Sequence, residues 1–175
     1  REECAKNQVI LPKIGSYAVA QIFFPSDKAI LKYCENLFEK IIEENDAKIV
    51  GWRTVPTNKE SVSASLNSTA PIIKQAFIIL KDNKIDLEVL ERKTFVIRKI
   101  ISNKFRQDNF LIKKKQSIYI CSFSSRTLNY KGMLLSDSVG AYFTDLEDEK
   151  RILNSKLESL MKSLDRQILK DNNDN

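Results

Sequence analysis

Two long runs of apolar side chains at helical spacing, set among β-rich segments, limit what this chain can fold into more than any other feature. In the first run Ile30, Cys34, Leu37, Phe38, Ile41 and Ile42 recur every three or four residues, while Lys32, Glu35, Glu39, Lys40, Glu43 and Glu44 fill the other positions. A stripe of that width needs a second layer to bury it. The second run, Ile85 to about Arg106, places Leu87, Leu90, Ile97, Ile101 and Phe105 on one face, with Phe95, Val96 and Ile100 widening it.

The second layer is supplied by the segments between. Tyr17 to Phe24 is apolar and β-rich, and Pro25-Ser26-Asp27 stops it and supplies a helix N-cap. Asn45-Asp46 ends the first helix. Lys48 to Val55 reads as a second strand that Pro56 cannot continue. Thr57 to Ala70, rich in Ser, Asn and Thr, reads as a surface loop with one short helical turn around Val62 to Leu66. Ile72 to Leu80 is a third strand, closed by the turn residues Lys81-Asp82-Asn83-Lys84. Lys113-Lys114-Lys115 falls in a loop, and Ser117 to Phe123 with Thr127 to Leu134 predicts an antiparallel pair joined near Ser125-Arg126. The order β-α-β-β-α-β-β is α+β, and by pattern alone a ferredoxin-like α/β sandwich leads.

The 175 residues suffice for one domain with a core. Histidine is absent, which removes Ser-His-Asp and Cys-His nucleophile pairs and the usual zinc hydrolase sites. Cys4, Cys34 and Cys121 share no CxxC spacing and make neither a disulfide framework nor a metal site. Cys34 and Cys121 lie within apolar patterns and read as buried and inert. The net charge of +6 is spread along the chain and not gathered with aromatic residues, so nucleic acid is not the expected partner. No stretch approaches the roughly 18 apolar residues of a membrane span, and no membrane partner is expected.

The chain starts at Arg1 in what reads as the interior of a helix, with no signal-peptide order, and it reads as starting inside a longer polypeptide. Past Phe143 the composition changes. Asp145 to Glu149 opens a helix with Leu153, Leu157, Leu160 and Leu164 at four- and three-residue spacing, and Lys170 to Asn175 trails off as polar disorder.

Several strings share one further property. Glu91-Arg92-Lys93-Thr94-Phe95-Val96-Ile97-Arg98-Lys99 and Ser124-Ser125-Arg126-Thr127-Leu128-Asn129-Tyr130-Lys131-Gly132-Met133-Leu134 resemble the ERKxxVIRK helix and SSRTxxYKGML strand pair of the amino-terminal glutamine amidotransferase domain of glutamate synthase. Arg1 to Ala5, Tyr17-Ala18-Val19, Gly51-Trp52-Arg53-Thr54-Val55-Pro56 and Pro71 to Phe77 resemble further segments of that family in the same order. The resemblance runs from about residue 1 to Asp148, so residues 1–148 are expected to be a partial class II amidotransferase domain and 149–175 a divergent C-terminal helix and disordered tail. It implies an α+β fold of antiparallel sheets with covering helices, part of an αββα N-terminal-nucleophile sandwich.

In that family a cysteine at the mature N-terminus attacks the glutamine amide, with its own amino group as base and backbone and Asn donors on the oxyanion. That cysteine precedes the REECA segment, and Cys4 lacks its context. The family's HSRFSTNT and HNGEIN segments are also missing where the chain runs into Lys150-Arg151-Ile152-Leu153-Asn154-Ser155. A truncated gene, a frameshift and a split or decayed copy each account for the break. No catalytic, cofactor-binding or metal residue is therefore assigned. Arg126 with Ser124 and Ser125 reads as a turn in preference to a pocket, Tyr130 and Lys131 as strand packing and a solvated tip, and Arg92, Lys93, Arg98 and Lys99 as an exposed or interdomain helix face.

The intact enzyme, as the resemblance implies, hydrolyses glutamine and passes ammonia to a site that reductively aminates 2-oxoglutarate. FMN and an iron-sulfur cluster would sit in its other domains and ferredoxin would be its electron donor. The abundance of Ile, Asn and Lys fits an AT-rich plastid genome and hence the plastid stroma, with a cyanobacterial or other bacterial cytoplasm as alternative. The other reading is a non-catalytic basic α+β binding or scaffold module.

Overall fold

A computed structural model describes residues 10–61, 70–82, 86–132, 134 and 138–146. The chain divides into two compact units, the first formed by residues 1–55 and 64–131 and the second by 56–63 and 132–175.

The first unit carries strand β1 (Ala18–Phe24), helix α1 (Lys28–Glu44), strands β2 (Ala47–Thr54) and β3 (Ile72–Leu80), helices α2 (Leu87–Gln107) and α3 (Asn109–Lys114), and strand β4 (Tyr119–Ser124). The strands form one antiparallel sheet in the order β2-β3-β1-β4. Each long helix connects two strands that have a third strand between them, which is the split βαβ arrangement of the ferredoxin-like sandwich. The class is α+β, an antiparallel sheet with covering helices, as the sequence leads one to expect.

Capping explains where the helices begin. The Asp27 carboxylate accepts from the backbone N–H of Ala29 and Ile30, and the Asp86 carboxylate from that of Val89. Asp108 ends α2 and caps α3, accepting from Leu111 N at 2.9 Å, and it also accepts the Tyr33 hydroxyl at 2.7 Å. Both long helices bury their stripes in one core with alternate residues of the sheet: Ala18, Ala20, Ile22 and Phe24 of β1, Ala76, Ile78 and Leu80 of β3, and Ile120 and Phe123 of β4. Trp52 closes one end, its ring centroid 5.5 Å from that of Phe38 and 6.0 Å from that of Phe24.

Four expectations need correction. The strand over Thr127 to Leu134 is absent among the described residues: Thr127 to Lys131 runs as an irregular strap, because side chains and not a neighbouring strand satisfy its backbone. Lys113 and Lys114 belong to α3, and Lys115 adopts a left-handed conformation as its C-cap. Phe95 and Val96 do not widen the buried stripe of α2; they are 60% and 55% exposed. Glu35, placed by its charge on the outer face of α1, is instead buried and paired with Lys74 of β3. The turn around Val62, Cys4 and the leucine-spaced helix lie outside the described residues.

In the second unit a short helix α4 (Ser138–Tyr142) precedes an isolated antiparallel bridge between Phe143 and Thr57, and Asn58 N donates to Tyr142 O at 2.8 Å. Phe143 is fully buried, edge-on to Tyr142 at 4.9 Å, and a 3-10 turn over Thr144–Leu146 follows.

Candidate functional site

Opposite the helix layer the sheet carries a row of polar side chains where an ordinary core would be apolar. The register sets Arg53 of β2 beside Gln75 of β3, Gln75 beside Gln21 of β1, and Gln21 beside Ser122 of β4, so one line crosses all four strands. All four are buried, Gln21 completely. Such groups persist in an interior only when hydrogen-bonded. The Arg53 guanidinium donates to Gln75 Oε1 at 3.0 Å, and Gln75 Nε2 donates to Gln21 Oε1 at 2.9 Å.

The strap completes the row. Gln21 Nε2 donates to the Asn129 carbonyl at 2.9 Å, Asn129 N donates to Ser122 Oγ at 3.3 Å, and Gln75 Nε2 reaches the Tyr130 hydroxyl at 3.4 Å. An irregularity in the β1–β4 register places an extra residue, Cys121, between Ser122 and Ile120; its thiol donates to Asn129 O at 3.2 Å. Strap residues thus take their hydrogen bonds from sheet side chains, which is why no fifth strand forms there.

The two strings that characterise the sequence meet at the start of this strap. The Glu91 carboxylate of α2 accepts from the Ser124 hydroxyl at 3.1 Å and from both the backbone N–H and the hydroxyl of Ser125. Burial alone would raise the Glu91 pKa, but the Ser125 and Ser124 hydrogen bonds and the nearby Arg126 charge together hold it below the usual carboxylate range. One turn earlier Glu88 pairs with Arg126 at the surface. Ser124 Oγ also accepts from Arg126 N at 2.9 Å, forming the turn read from the sequence.

Arg98, expected on an exposed or interdomain helix face, is half-buried and donates to Ile120 O at 2.9 Å, which covers a backbone carbonyl of the edge strand. Arg92, Lys93 and Lys99 are exposed as expected. Tyr130 packs over the row, and Lys131 lies 4.6 Å from the Tyr119 ring centroid, a solvated tip. Burial raises the Cys34 thiol to about 11, and burial likewise raises that of Cys121. Neither is poised as a nucleophile. Among the described residues no group of His, Cys, Asp and Glu is arranged to hold a metal ion, and no helix is long and apolar enough to cross a membrane.

Gln21, Gln75 and Glu91 were not singled out by sequence reasoning. The signal was clearest for Gln21, whose amide interrupts the otherwise apolar strand AVAQIFF at an interior position; Gln75 follows the charged Lys74 in IIKQAFIIL and stands out less. The chemistry available to this arrangement is fixation of a loop on a sheet, the amides of the row being held by their neighbours.

Residues 1–159 match the model for class-II glutamine amidotransferases. The chain is 34% identical over 149 residues to the glutamate synthase [NADPH] large chain of Bacillus subtilis, covering 85% of this chain. It is 32% identical over 148 residues to ferredoxin-dependent glutamate synthase 1, chloroplastic/mitochondrial, of Arabidopsis thaliana, covering 83% of this chain, and 31% identical over 150 residues to ferredoxin-dependent glutamate synthase of Antithamnion sp., covering 82%. It spans 9% of the length of each of these relatives. With the matched stretch extending over most of the chain, it belongs to the class-II glutamine amidotransferases, in the form that glutamate synthases carry as their amino-terminal domain.

Proposed function

We propose that this chain is a scaffold portion of the amidotransferase domain of a glutamate synthase, residues 1–148 forming that portion and 149–175 a divergent helix and tail. The domain hydrolyses L-glutamine to glutamate and ammonia, and the ammonia is used elsewhere in the polypeptide to aminate 2-oxoglutarate reductively. The observation that carries this reading is the junction of Glu91 with Ser124 and Ser125, which ties the two identifying strings into one unit. FMN, an iron-sulfur cluster and the contact with ferredoxin belong to the remaining domains. The plastid stroma is the setting that the chloroplastic relatives favour.

Glutamine hydrolysis needs a nucleophile, a base and oxyanion donors in one place. The two described cysteines are buried with raised thiol pKa values, and histidine is absent from the chain. Catalysis is accordingly assigned to residues outside this chain. The purified 175-residue chain is expected to release no ammonia from glutamine in a coupled assay, and the intact polypeptide carrying it to release ammonia readily. Comparable turnover by the chain alone would overturn the reading.

A further inference from the structure

The two helices of the covering layer present unlike outer surfaces. Along α1 the outward positions are Lys28, Lys32, Asn36, Lys40 and Glu43, the composition of a helix that faces water. Midway along α2 they are Phe95 and Val96, 60% and 55% exposed. Single exposed apolar residues are ordinary on any surface. Here an aromatic and a β-branched residue stand side by side, and exposed Arg92, Lys93 and Lys99 border them.

The border is cationic because the helix's own carboxylates are committed elsewhere. Glu88 is taken by Arg126, and Glu91 by Ser124 and Ser125. Among the described residues Arg92, Lys93 and Lys99 make no ion pair. Lys99 Nζ instead lies 5.6 Å from the Phe95 ring centroid. An apolar centre with aromatic content and a charged rim is the anatomy of an interface.

We infer that the outer face of α2 around Phe95 and Val96 docks onto another domain of the same polypeptide, on an apolar surface bordered by carboxylates. The inference rests on the reading of the chain as part of a glutamate synthase. Relatives of which this chain spans 9% leave most of such a polypeptide available as the occupant. A second copy of the chain is the poorer fit. A two-fold contact through this face would set the cationic border of one copy against that of the other, with both carboxylates of α2 already committed elsewhere.

The test is photo-cross-linking in the intact polypeptide that carries this chain, with p-benzoyl-phenylalanine in place of Phe95 and, as the solvated control, in place of Lys32. The expected result is a cross-link from position 95 to a peptide outside residues 1–175 of the same polypeptide. Its yield is expected to fall in the Arg92→Glu/Lys99→Glu double variant and in high salt, while position 32 stays silent. A cross-link into a second copy of residues 1–175, or a yield at position 95 no higher than at position 32, would overturn it. Ammonia release from glutamine is measured on the same preparation. Ammonia without the cross-link removes the docking surface alone, and the cross-link without ammonia removes the functional reading alone.

Discussion

A leucine and a glutamine occupy nearly the same volume, yet at position 75 of this sheet they are not exchangeable. Gln75 both accepts from Arg53 and donates to Gln21, so its amide is the middle link of the buried row. Gln75→Leu strips a partner from two buried groups at once, and the expected cost is about 1–3 kcal/mol for each group left unsatisfied. Urea unfolding checks it: a midpoint indistinguishable from that of the parent chain would show that the row contributes no stability. Glu91 supplies a pH signature of its own. Its carboxyl titrates below the ordinary value of 4.5 in the folded chain, so it adds stability that is fully present above that value and is lost as pH falls through the lower, folded one. Glu91→Gln is therefore expected to weaken the chain at neutral pH and to flatten the loss of stability as pH falls below 4.5. Equal acid sensitivity in parent and variant, followed by circular dichroism, would contradict this.

At the level of the element, α2 shows where apolar spacing informs and where it misleads. Of the face read as buried, Leu90, Ile97, Ile101 and Phe105 are in the core, whereas Leu87 in its first turn is 37% exposed. Phe95 and Val96 have the same chemistry but sit outside that face, and composition carries no sign of it. Ile101→Ala is expected to cost about 2–5 kcal/mol, as deletions in a packed core do. Phe95→Ala is expected to change stability by less than about 0.5 kcal/mol in the isolated chain, as exposed substitutions do. Thermal melts of the two variants side by side decide it, and a reversal of their order would mean the helix is rotated. β1 to β3 and α1 were legible to within a residue or two because an N-cap, prolines and turn residues mark their limits. The fifth strand was misread because its backbone is served by side chains: those of Ser122 and Cys121 in the preceding strand, and that of Gln21 from a distant part of the chain. The polar row was hidden for the same reason: single amides within strands become a line only when the register of four strands is known.

For the molecule as a whole, the family was readable because several strings follow one order, whereas what those strings do was not. Their contact at Glu91 joins residues separated by most of a helix, a loop and a strand, and only folding brings them together. Val19, at the start of β1, is the register partner of Ser124, the last residue of β4. Neighbouring strands lie roughly 5 Å apart, so the chain comes into the sheet and leaves it at nearly the same point. A unit with such adjoining ends can be spliced as a cassette into a loop of a host protein with little distortion of either. Residues 16–126 inserted in a surface loop of an enzyme whose activity reports its own folding are expected to leave that activity largely intact. Its loss at every tolerant loop would mean the ends are held apart.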